Sequence, residues 1–175
     1  MRSPGAGFDQ PFEMLDACHD RVRRSLDLLR RLRDYLRGHG HGCDDSARQA
    51  ARDVLRYFDI AAPLHHEDEE LHVFPPLLAQ EHDAPLVTLV RQLQRDHVRM
   101  AERWATARGP LQAMADGQLP AFSAEHEAAL DGFAECYTHP LRQADDSNHP
   151  PPRPLRQRVP QSAMGQEMAR RRGVR

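Results

Sequence analysis

Three histidines and four acids occupy seven of the eight positions from His65 to His72, within the run Pro63-Leu64-His65-His66-Glu67-Asp68-Glu69-Glu70-Leu71-His72-Val73-Phe74-Pro75-Pro76. Imidazole nitrogens and carboxylate oxygens without a thiolate pattern suit iron, manganese or zinc rather than a soft-metal site. Residues four apart share a helix face, so His65 with Glu69, or His66 with Glu70, can close on one cation. The neighbouring apolar residues decide between the pairs. Val54, Phe58, Ala61, His65, Glu69 and His72 recur at spacings of 4, 3, 4, 4 and 3. The core face therefore runs through His65 and Glu69, and His66 and Glu70 are expected about 100° away from it.

Two further histidines fall on apolar stripes. His19 follows Cys18 in the series Leu15, Cys18, Val22, Leu26, Leu29 and Leu36, and His97 belongs to Leu86, Leu89, Leu93, Met100 and Trp104. A single imidazole on such a stripe is ordinarily a hydrogen-bonded core residue. Several imidazoles and a carboxylate in one seam are costly to bury unless they share a partner. At a rise of about 1.5 Å per residue, His19, His65, Glu69 and His97 all come to one layer roughly 10–18 Å from the same end of an antiparallel bundle. His126 opens its own helix at the opposite end and reads as a cap or core residue, not a ligand.

The elements that must position these groups are four amphipathic helices. The first spans about 12–37 and stops at Gly38-His39-Gly40-His41-Gly42, which reads as a flexible turn. The second starts near Ser46 and reaches Leu78, with a kink expected at Pro63 and weakening at Pro75-Pro76. Asp83-Ala84-Pro85 starts the third, a cap followed by a first-turn proline, and Gly109-Pro110 is expected to stop it. The fourth runs from about Ser123 to at least Tyr137, with His126, Leu130, Phe133 and Tyr137 inward. No strand pattern of useful length exists. These features predict an all-α, up-down-up-down four-helix bundle over 1–148. A Pro/Arg-rich tail over 149–175 follows, ending in a short amphipathic helix that folds back through Met164 and Met168.

Composition narrows the function. The chain has 175 residues, 39% of them hydrophobic, with a net charge of -2, which leaves no footprint for nucleic acid or an anionic membrane. All 24 basic residues are Arg, which reads as codon bias. Three cysteines without a C-x-x-C pair, and no targeting or spanning segment, point to a reduced cytoplasmic protein. There is no Gly-rich phosphate loop, no G-x-S-x-G and no H-E-x-x-H. Cys18 and His19 point about 100° apart on their helix, so the thiol reads as structural.

Taken together, His19, the stretch His65-His66-x-x-Glu69-Glu70 leading into Phe74-Pro75, and Asp96-His97 resemble the hemerythrin-like (HHE cation-binding) family over about residues 10–148. The ending from Met164 to Val174 is similar to that of bacterial members. The resemblance implies a four-helix bundle with an oxo-bridged, non-haem di-iron centre. It makes Glu69 a bridging carboxylate and His19, His65 and His97 terminal ligands. The fourth helix departs from the family pattern: Pro140 and Ala144 stand where members carry His and an acid. His139, with Asp145 or Asp146, is the nearest replacement. Position 93 is Leu, so the third helix lacks the His-x-x-x-His pair of the oxygen carriers.

The expected function is a cytoplasmic iron-binding module that senses or binds dioxygen, nitric oxide or iron, and is not itself an enzyme. Its small diatomic ligand is the expected partner, with no protein partner identified. The alternatives are a di-iron oxidase or peroxide-reactive enzyme, and a metal-free structural bundle with a degenerate site.

Overall fold

The computed structural model describes residues 8–38, 42–79, 82–138 and 161–173. They form five helices: α1 (Pro11–Gly38), α2 (45–78), α3 (Ala84–Ala115), α4 (Ala124–Cys136) and α5 (Gln161–Arg171). Among the described residues there is no strand. α1 packs on α2, α2 on α3, α3 on α4, and α4 closes back on α1. Ion pairs from Arg33 to Asp131 and from Arg37 to Glu127 tie the end of α1 to the start of α4. Arg52, near the start of α2, donates to the Ala115 carbonyl at the end of α3 (3.0 Å). These ties make the neighbours antiparallel, and the bundle has the up-down-up-down order that the four periodic segments predict. No described helix is long and apolar enough to cross a membrane.

The caps are local chemistry. Asp44 accepts from the Ala47 amide at the head of α2, and Asp83 accepts from the Leu86 amide at the head of α3. Ser123 and His126 form a reciprocal box at the head of α4. His126 is thus a cap, at the end of the bundle away from His19, His65 and His97.

α2 departs from a regular helix twice. Tyr57–Ala61 and Glu69–Val73 are widened turns, closed by Ala62 N–H to Tyr57 O and by Phe74 N–H to Glu69 O. Each closing residue directly precedes a proline, Pro63 or Pro75. Proline lacks the amide donor, and its ring crowds the carbonyl four residues back. A wide turn relieves both faults without ending the helix. The extra residue advances the buried face, so that Ala62 is buried and Ala61 only half-buried.

Gly109-Pro110 does not stop α3, contrary to expectation. The helix continues through Pro110 to Ala115 because Leu111, Met114 and Ala115 are fully packed in the core. Their burial outweighs the roughly 3 kcal/mol that an interior proline costs. The actual stop is Gly117 (φ 74°), whose amide bonds Met114 O while Gln118 N–H bonds Ala113 O.

Two apolar clusters result. The larger joins Val22, Leu26, Phe58, Met100, Leu111, Leu130 and Phe133. The smaller joins Phe12, Leu15, Phe74, Leu77, Val90, Met164 and Met168, so α5 folds back as expected. Met164 and Met168 are buried at 2% and 0% exposure, so α5 is part of the packed body. Between the clusters lies a polar layer.

Opposite signs are expected for two Gly→Ala changes in urea unfolding. Gly132→Ala, on a helical position of α4 where the added methyl meets only Arg103 Nη1 at 3.8 Å, should gain about 0.5–1 kcal/mol. Gly117→Ala should lose about 1–2 kcal/mol to left-handed backbone strain. Equal effects would place the end of α3 elsewhere.

Candidate metal centre

The polar layer is built around Glu69, the first residue of the second wide turn. Its two carboxylate oxygens face different partners. Oε1 lies 3.7 Å from His65 Nε2 and 4.0 Å from His19 Nε2. Oε2 lies 3.2 Å from His97 Nε2. One ligand atom each from His19, His65 and Glu69 falls within 4.8 Å of the others. Of the six residues singled out from the sequence, the fold thus brings four to one place from three helices. His139 and Asp145 lie outside the described residues, as do Pro140 and Ala144.

The spacing carries chemical information. Separations of 3.7 and 4.0 Å are too long for hydrogen bonds. Two ligands on one ion, each bonded at about 2.0–2.2 Å, stand roughly 3–4 Å apart. His65 is 3% exposed and its Nδ1 has no hydrogen-bond partner. A buried imidazole left without hydrogen bonds is expensive; coordination through Nε2 would compensate the ring on its Glu69 side, while Nδ1 stays unpaired. The donor set therefore fits a hard-to-borderline cation.

His66 and Glu70 are the residues that the helical period misplaced. His66 is packed inward, its ring stacked on His97 with centroids 4.1 Å apart and 6.4 Å from the Tyr137 ring. Glu70 Oε1 meets His97 Nδ1 at 3.0 Å, and Gln94 Nε2 donates to Glu70 Oε2 at 2.7 Å. The Gln94–Glu70–His97 chain fixes the ring that presents Nε2 to Glu69, the usual way a ligating imidazole is oriented. The signal in the sequence was the second acid beside Glu69. The 3.6-residue period hid it, because the wide turns spread the inward face of α2 over two adjacent columns.

Electrostatics follow from this crowding. Burial alone would raise the Glu69 carboxyl, but His65, His97 and His19 together bring it down to about 2. Burial also drives His65 down, against the pull of Glu69, and drives His66 down to about 3, helped by the neighbouring His97 and His65. Both are neutral imidazoles with free lone pairs at neutral pH. His97 is raised, because Glu69 and Glu70 outweigh its burial. Burial raises the Cys18 thiol, which matches its reading as a structural residue.

The comparison with known families decides the rest. Residues 10–150 match the model of the hemerythrin HHE cation-binding domain. The chain belongs to that family. Over 100 residues it is also 40% identical to an uncharacterized protein of Haemophilus influenzae. That match covers 57% of this chain and 55% of the relative, so the chain spans about half of that protein's length. The polar layer of this hemerythrin domain is thus a candidate His/Glu metal site in a cation-binding fold.

In the metal-free domain, Glu70→Gln should lower the His97 pKa, since a carboxylate facing Nδ1 is replaced by a neutral amide. Histidine NMR titration reads this directly; an unchanged His97 midpoint would show that Glu70 does not hold the ring in solution.

Proposed function

We propose that this hemerythrin domain binds non-haem iron and uses it to bind or sense dioxygen or nitric oxide. The observation that carries the reading is the division of the Glu69 carboxylate. One oxygen faces His19 and His65, the other faces His97, as a carboxylate shared by two metal positions requires. Bound iron would supply reversible ligation of a small diatomic molecule. The chain supplies the surroundings. Neutral His65 is ready to donate a lone pair, and Glu70 holds the His97 ring. Phe58, Trp104, Phe133 and Tyr137 pack beside the site in edge-to-face and tilted pairs, with centroids 4.8–5.6 Å apart. That aromatic wall restricts water, which favours binding over turnover.

A one-ion form has its own support: His19, His65 and Glu69 alone bring their ligand atoms within mutual reach. The His97 side draws fewer ligands from the described residues.

Iron analysis of protein purified without oxygen separates these readings. Two iron per chain supports the shared-carboxylate centre, and one supports the three-residue site. A chain that takes up no metal overturns the proposal. His65→Ala or Glu69→Ala should remove most of the bound iron, whereas His126→Ala, a cap residue, should retain it. Sustained peroxide consumption by the loaded protein would favour an enzyme instead.

A further inference from the structure

The C-terminal helix reaches the site from outside. Asp68, fully buried, immediately precedes Glu69 and is held by both Arg171 and Arg172 of α5. Arg171 also pairs with Glu67 at 2.7 Å and with Glu167 at 2.7 Å. Glu167 in turn bonds His72 Nε2 at 2.8 Å. The same helix buries Met164 and Met168 against Phe74 and Leu77. Thus α5 grips α2 before, within and beyond the wide turn Glu69–Val73: by charge at Glu67 and Asp68, again at His72, and by apolar contact at Phe74 and Leu77. Gly165 lies so close to the Phe8 carbonyl that an added methyl would overlap it, so the docked position tolerates little displacement.

We infer that Arg171 and Arg172 are positioning residues for Glu69, and that α5 docking and metal retention are coupled. This rests on the metal reading above. Asp68 cannot stay buried without its two guanidinium partners, because an uncompensated buried carboxylate is strongly destabilising. When α5 leaves, Asp68 must turn toward water, and it carries the adjoining turn with it. Glu69 then no longer presents its two oxygens to the three imidazoles. Coupling between two sites is reciprocal: a helix that holds the metal is itself held by the metal. Metal loss therefore loosens the last helix, and site occupancy becomes a change at the surface.

Two measurements on the full chain test this. In the first, iron-loaded wild type and Arg171→Gln/Arg172→Gln are challenged with a chelator, with helicity checked by circular dichroism. Release from the variant should be about 10-fold faster or more, the size of effect seen when the residues orienting a metal ligand are lost. Gly165→Ala, which dislodges α5 by bulk and leaves every charge in place, should act in the same direction. In the second, hydrogen exchange over residues 161–171 of the unaltered protein is compared with and without iron. It should slow on loading, a response that a merely stabilising tail would not show and that does not depend on any variant folding. Wild type that loads iron, with no change in exchange over α5 and equal release from the folded variants, overturns this inference alone. Wild type that loads no metal overturns the metal reading, and this inference falls with it.

Discussion

The structure depends on the burial of one carboxylate among imidazoles. Glu69 sits where three helices converge, between two apolar clusters that would merge if the layer were hydrophobic. Such a layer weakens a bundle, since each polar group must recover in the protein what it loses from water. Here the recovery comes in stages. Glu69 is compensated by His19, His65 and His97, His97 by Glu70, and Glu70 by Gln94. The chain of compensation ends at His65 Nδ1, which is buried and unpaired. Among the described residues, Glu69, Glu70 and His97 find partners within the layer while the buried His65 ring has no hydrogen bond, and that ring is where a cation held by Nε2 would enter.

The same economy explains α2. A continuous helix with prolines at 63, 75 and 76 would be expected to break. The two wide turns keep it whole and also rotate its inward face, which is why both His65 and His66, and both Glu69 and Glu70, take part in the polar layer. Widened turns recur at functional sites because they place two adjacent side chains inward where a regular helix places one. In this domain the proline positions and the ligand positions answer the same constraint.

How much of this was legible in the sequence follows from the range of each interaction. The number and order of the helices and the inward placement of His19, His65 and His97 are set by local periodicity and read correctly, whereas α2 is capped by Asp44 rather than Ser46 and Leu89 of the third stripe is exposed. Glu70 and His66 were misplaced because the choice between a regular and a widened turn is made by proline crowding within the folded helix. Gly109-Pro110 looked like a stop because a dipeptide does not reveal that Leu111 and Met114 lie in the core. Asp68 falls in an acidic run and Arg171 and Arg172 in a basic tail, and neither run reveals that one neutralises the other. Their partners are more than 100 residues apart, and no local pattern links them.

That long-range pairing gives the acidic run a division of labour. Glu67 and Asp68 face outward from the ligand layer and are neutralised by α5; Glu69 and Glu70 face inward and are neutralised by histidines. Four consecutive acids on one helix repel one another unless cations stand on both sides. The arginines and the imidazoles therefore stabilise the same short segment from opposite faces, and loss of either set leaves the other facing unbalanced charge. It is this shared dependence, more than any single contact, that makes the terminal helix part of the site rather than an appendage to the bundle.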